Sequence, residues 1–194
     1  MKQMNEKVIL TDCDGVLFDW AFAFHEWMRK HGYERESFGQ YDMAESYGVS
    51  KKYIKKLIKM FNESASIGKL PPHADAIKYV KKLHEEHGFV FHAITSLSDD
   101  HSAQELRTKQ LKAMFGETVF VEFKYLDTGA DKDEALAEYK DSYCAWIEDK
   151  KENCDLGIEL GLNSFLMAHD HNDEYEGEGI RVQNWKEIYE ELAL

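Results

Sequence analysis

Long apolar runs are missing from this chain of 194 residues. The longest are strand-sized, which excludes a membrane-spanning helix of about 20 apolar residues. Cysteine is scarce: Cys13, Cys144 and Cys154 form neither an even disulfide set nor a metal-ligand spacing, so reduced thiols are the simplest reading. Positive charge is also in deficit, with 24 Lys and Arg against 37 Asp and Glu and a formal net charge of −13. That balance opposes nucleic-acid polymers and anionic membranes as main partners. No repeat and no low-complexity linker interrupts the sequence. Residues 1–7 are polar and lead straight into Val8-Ile9-Leu10, without a secretory pattern. A cytoplasmic protein is expected, as a monomer or homodimer.

What is present is an alternation. Apolar runs at 8–11, 89–95, 119–123, 143–147 and 164–168 are separated by helical patterns at 75–87, 98–115, 133–139, 153–160 and 185–192. Four of the runs are close to uniformly apolar, as suits strands covered on both faces; the third carries Glu122 and belongs nearer an edge. The pattern predicts an α/β three-layer sandwich around a mostly parallel, five-stranded sheet. Between the first two strands lies a span too long for one crossover helix. Phe18, Ala21, Phe24, His25 and Met28 recur at helical spacing, and Ile54, Leu57, Ile58 and Phe61 form an apolar stripe opposite Lys51, Lys52, Lys55, Lys56 and Lys59. Pro71-Pro72 closes it, since proline ends one helix and can begin the next. The expected organisation is a core of residues 1–17 and 73–194 with a small helical cap at 18–72.

The chemistry concentrates after the first strand, in Asp12-Cys13-Asp14-Gly15-Val16-Leu17-Phe18-Asp19. Ligands of open α/β sheets bind beyond the carboxyl ends of strands. Two carboxylates one residue apart can serve such a site, with Gly15 permitting the turn. Paired oxygen ligands suit a hard cation such as Mg²⁺. A carboxylate that attacks an anionic phosphate needs that cation and backbone N–H groups to offset the repulsion.

Asp12-Cys13-Asp14-Gly15-Val16 resembles the first motif of the haloacid dehalogenase-like superfamily. The resemblance implies that Asp12 is a nucleophile forming an aspartyl-phosphate, and that Asp14 is the general acid and later the base. The Asp12 side chain and the Asp14 carbonyl would ligate Mg²⁺. Thr95, in Ala93-Ile94-Thr95-Ser96, resembles the second motif, whose hydroxyl binds phosphate. Lys132 resembles the lysine that steadies nucleophile and phosphate. Trp146-Ile147-Glu148-Asp149 resembles the fourth motif, with Asp149 as third metal ligand. Glu148 supports the metal, directly or through water, or is simply a charge at the strand exit. Within the superfamily the segment 14–20, Leu70-Pro71-Pro72-His73-Ala74 and Thr95-Ser96 are similar to the 5′(3′)-deoxyribonucleotidases, with Trp20 where those enzymes stack the base. His73 stands where they usually carry glycine. The implied activity is Mg²⁺-dependent hydrolysis of a small phosphorylated metabolite, a deoxynucleoside monophosphate foremost and a sugar phosphate as the alternative.

Other residues take plainer roles. Asp19 reads as a helix cap, and Phe22, Phe24 and Trp27 as packing residues. His92 reads as a core histidine with a hydrogen-bond partner. His169-Asp170-His171, followed by Asn172, Asp173 and glycines, reads as a mobile polar loop and not a metal site. Cys13 should point away from its acidic neighbours. A receiver-like phospho-acceptor domain and a binding module without catalysis are the rivals from other classes; Asp14 and the insert argue against the first, the unbroken motifs against the second.

Overall fold

A computed structural model describes residues 7–37 and 42–193. The strands are β1 (Val8–Thr11), β2 (Val90–Ser96), β3 (Phe120–Leu126), β4 (Ala145–Glu148), β5 (Asn163–Met167) and β6 (Ile180–Val182). They form one sheet in the order β3-β2-β1-β4-β5-β6, and every pairing is parallel. The sheet therefore has six strands where the sequence suggested five. The sixth escaped notice because it is three residues long, buries only Val182 fully, and follows the glycines Gly177 and Gly179. Glu122 does lie on the edge strand β3.

The helices are α1 (Trp20–Lys30), α2 (Met43–Ser46), α3 (Lys51–Asn62), α4 (Ala76–His87), α5 (His101–Phe115), α6 (Asp133–Ala137), α7 (Lys151–Glu159) and α8 (Trp185–Leu192). Alternation along each strand divides its side chains between two faces. Ile9, Phe91, Ala93, Ile147 and Phe165 pack with α4, α5 and α8. Val8, Leu10, Ile94 and Trp146 pack with Leu136, Tyr139 and Leu162 on the α6 and α7 side. These are the three layers. His92 is half-buried on β2 and bonds the Tyr139 hydroxyl at 2.8 Å.

Between β1 and β2 the chain makes α1, α2, α3 and a 3-10 turn over Ala65–Lys69. Residues 38–41 of this span, like 1–6 of the expected core, lie outside the described residues. The span's buried aromatics join the cluster on the α4, α5 and α8 face of the sheet. Phe24 and Phe61 are fully buried and meet at 5.4 Å, with Trp20 stacked on Phe24 at 4.8 Å. Each buried phenylalanine contributes about 1.5–3 kcal/mol. Asp19 caps α1 by accepting from the Phe22 N–H at 3.0 Å, and the lysines of α3 face solvent. The two ends of the span meet: Phe18 bridges Pro72, the Asp19 N–H donates to the Pro71 carbonyl at 2.9 Å, and the His73 N–H donates to that of Leu17 at 2.9 Å.

Candidate active site

Because β1 has β2 on one side and β4 on the other, the connections leaving β1 and β4 diverge, and a crevice opens at their carboxyl ends. Asp12 stands there, directly after β1, with its N–H donating to the Ile147 carbonyl of β4 at 2.9 Å. The next turn is tight: the Gly15 N–H donates to Phe18 O, and the Phe18 N–H to Cys13 O, both at 2.9 Å. Gly15 has φ +79°, and a β-carbon there would sit 2.3 Å from an Asp149 oxygen. Glycine is required twice, for the left-handed backbone and for the approach of Asp149. Behind the turn, the buried Trp185 of α8 donates its indole N–H to the Val16 carbonyl at 2.9 Å.

Four sequence motifs converge at Asp12. The Lys132 ammonium lies 3.0 Å from Asp12 Oδ2 and donates to Glu148 Oε2 at 2.7 Å. Asp12, Glu148 and Asp149 each offer an oxygen within 4.8 Å of the others, the one such acidic group among the described residues. Thr95 is buried with its hydroxyl beside the Asp12 carboxyl, where it favours ionisation without forming a well-aligned hydrogen bond. Ser96 instead donates to the Ala130 carbonyl at 2.8 Å, tying the end of β2 to the loop that carries Lys132. Trp20 is half-buried, and its indole N–H donates to Asn62 Oδ1 at 3.0 Å. Asn62 in turn donates to the Leu97 carbonyl at 2.9 Å, so α3 is tied to the loop after Thr95 and Ser96.

Glu148 is saturated. Its Oε1 accepts from the N–H groups of Asp149 and Lys150 at 3.0 and 3.1 Å, and its Oε2 from Lys132 and the Asn153 amide at 2.7 and 3.0 Å. Burial works against its charge, but Lys132 and these donors outweigh burial and hold its pKa below the usual carboxylate range. Burial likewise opposes the Lys132 charge, and Asp12 and Glu148 outweigh it, so Lys132 stays protonated. The other two acids go the opposite way. Burial pushes Asp12 up to about 7, assisted by Glu148 and Asp14 and resisted by Lys132. Burial, then Glu148 and Asp12, push Asp149 well above its ordinary value. Three carboxylates share one ammonium, all donors are hard oxygens, and two of the acids are destabilised as anions. This donor set fits a divalent cation such as Mg²⁺.

Two features were not read from the sequence as part of this site. His169 precedes, and His171 lies within, a 3-10 turn (Asp170–Asn172) that folds onto the site: His169 Nε2 bonds the Gly15 carbonyl at 2.6 Å and His171 Nε2 the Asp149 carbonyl at 3.0 Å. The expected polar loop is in fact pinned by its own Asn172, which donates to the Asp149 and Met167 carbonyls, each at 2.8 Å. Arg107 of α5, wholly buried, lies 2.7 Å from Asp14 Oδ1. Cys13 is buried in the core, its thiol pushed up to about 12 by burial.

No family model matches the chain. An uncharacterised 32.4 kDa protein of enterobacteria phage T4 is 28% identical over 194 residues, covering 95% of this chain and 69% of that protein. Among solved structures, a haloacid dehalogenase-like family hydrolase from Streptococcus pneumoniae aligns with TM-score 0.66 at 15% identity, over 98% of this chain and 99% of its own. A D,D-heptose 1.7-bisphosphate phosphatase from B. bronchiseptica, complexed with magnesium and phosphate, aligns with TM-score 0.58 at 11% identity, over 96% and 98%. A fully parallel sheet with an acidic loop at the exit of its central first strand, and these alignments over nearly the whole chain, give one answer for the architecture. This chain has the fold of the haloacid dehalogenase-like hydrolases.

Proposed function

We propose that this chain is a Mg²⁺-dependent phosphomonoester hydrolase working through an aspartyl-phosphate on Asp12. The observation that carries the reading is the placing of Asp12: a carboxylate at a strand exit, 3.0 Å from a buried lysine and within reach of two further acids. An Asp12 oxygen attacks phosphorus as the bond to the leaving oxygen breaks, and Asp14 gives that oxygen its proton. Asp14 then takes a proton from water as the water oxygen attacks phosphorus and the Asp12–phosphorus bond breaks. Lys132, braced by Glu148, holds Asp12 and the phosphoryl oxygens together, and Thr95 presents its hydroxyl to them. Asp12, Asp149 and the Asp14 carbonyl, with Glu148 beside them, would hold the cation. When bound, Mg²⁺ offsets the repulsion between carboxylate and phosphate.

Residues 18–72 act in this reading as a cap that excludes bulk water, on a core of 1–17 and 73–194. The substrate class is a small phosphorylated metabolite, a deoxynucleoside monophosphate foremost, with the open part of the Trp20 ring against the base. Phosphate release with Mg²⁺ from deoxynucleotides, ribonucleotides, sugar phosphates and para-nitrophenyl phosphate tests it. Deoxynucleotide preference supports the whole reading, and release from sugar phosphates alone keeps Asp12 while removing the nucleotide. Asp12→Asn should abolish turnover with the fold intact; substantial residual activity removes Asp12 as nucleophile.

A further inference from the structure

We propose that Arg107, in the middle of α5, is a positioning residue that fixes the Asp14 carboxylate for its two proton transfers. The inference rests on the phosphatase reading above and adds a residue to it. Arg107 is 0% exposed. Its Nη1 lies 2.7 Å from Asp14 Oδ1, yet Nε, Nη1 and Nη2 are all buried without an aligned hydrogen bond. The guanidinium also lies over the Phe18 ring, 5.2 Å from its centroid, at the point where the chain leaves for the insert.

Burying a guanidinium costs several kcal/mol unless its donors are satisfied. Where this protein uses a buried ion to hold its frame, it satisfies it, as the four donors on Glu148 show. Arg107 is held differently. It has five N–H donors, and Asp14 supplies its single salt bridge among the described residues. A methionine of similar length would fill the space beneath Phe18 without the desolvation cost. What the charge adds is a grip on one carboxylate.

That grip is one-sided. Asp14 Oδ1 is buried against α5, while the side chain as a whole remains 19% exposed, so its accessible part lies away from Arg107. With Oδ1 anchored, the second oxygen is the one that serves leaving oxygen and water in this proposal. The fork also reaches the Cys13 thiol, so the guanidinium is seated on the same turn that carries Asp14. Arg107 touches no reacting atom; it acts through Asp14.

The test is the dependence on leaving group. Nitrophenolate departs without a proton, whereas an alkoxide needs one. In Arg107→Met, the first-turnover rate of glycerol release from glycerol 2-phosphate should fall about 10–100-fold more than the first-turnover rate of nitrophenolate formation from para-nitrophenyl phosphate. Rapid mixing with the latter should show a burst of one nitrophenolate per enzyme, then slow turnover, because water activation is impaired as well. The double variant Asp14→Asn/Arg107→Met should be no slower than Asp14→Asn alone. Equal losses on both esters without a burst, or additive losses in the double variant, overturn the proposal. Should Arg107→Met fail to fold, Arg107→Lys carries the same comparison, since it keeps a charge without the fork. A wild-type protein that hydrolyses neither these esters nor the deoxynucleotides, ribonucleotides and sugar phosphates above with Mg²⁺ overturns the phosphatase reading itself, and this inference with it; an active wild type with equal losses and no burst removes only Arg107.

Discussion

Metal-free protein should lose stability as the pH rises from 5 to 8, and Mg²⁺ should return most of what is lost. In the folded chain burial raises Asp12 from 3.8 to about 7, with Glu148 and Asp14 adding to it and Lys132 opposing. At pH 5 an unfolded chain has already released this proton, while the folded chain keeps it until near neutrality. The folded state therefore binds more protons across that window, and stability falls as the pH climbs through it. From pH 5 to the folded pKa the loss is about two pH units at 1.36 kcal/mol each, roughly 3 kcal/mol. In a chain of this size that lowers Tm by roughly 6–12 °C. Asp149, raised mainly by burial and then by Glu148 and Asp12, pulls in the same direction. Calorimetric melts in EDTA at pH 5 and pH 8, repeated with saturating Mg²⁺, measure both effects. The cation binds the ionised carboxylates, so its Tm increment should be several degrees larger at pH 8. Asp12→Asn removes the titrating group and should flatten the pH dependence in EDTA, whatever the general repulsion of a chain of net charge −13 contributes. Identical losses for wild type and Asp12→Asn, or equal Mg²⁺ increments at both pH values, refute the reasoning.

Gly15→Ala should weaken Mg²⁺ binding at least tenfold, read as the concentration needed to raise Tm, because the new methyl occupies the place of the Asp149 carboxylate and the backbone is left-handed there. An unchanged Mg²⁺ requirement contradicts the close packing of Gly15 on Asp149. Asn62→Ala removes the acceptor of the Trp20 indole and a donor to Leu97 O from a buried position. It should cost about 2–3 kcal/mol by urea unfolding, and a cost below about 0.5 kcal/mol shows that these bonds do not hold α3 to the core.

The core strands were legible because a parallel sheet covered on both faces forces uniformly apolar runs, and β1 falls where its run placed it. The acidic loop was legible because Asp12, Asp14 and Gly15 lie within four consecutive residues, so little of the geometry depends on the rest of the chain. Arg107 was not. Its neighbours Glu105, Lys109 and Lys112 give the helix a solvated look, and of its five buried residues, Ala103, Arg107, Gln110, Leu111 and Phe115, two are polar. The apolar periodicity that marks an inward face is therefore diluted at the place where that face carries chemistry. His169 and His171 were hidden for a related reason. A polar, glycine-bordered segment has the composition of a free loop, and only the Asn172 bonds to two distant carbonyls turn it onto the site. The structure also gives Glu148 a definite post, since four donors converge on two oxygens that sequence alone could not orient.

The indole bond from Trp185 to the Val16 carbonyl spans 169 positions along the chain. On a ribosome, which releases residues in order, the Val16 carbonyl beside the acidic loop emerges well ahead of Trp185 and waits for α8 before it is partnered. A nascent chain can form β1 and the helices of the insert early, but the seat of its acidic loop is completed only when α8 docks. Incomplete translation products ending before residue 185 should thus carry the whole acidic motif in an unfinished setting. The fold ties the competence of the acidic loop to the arrival of α8.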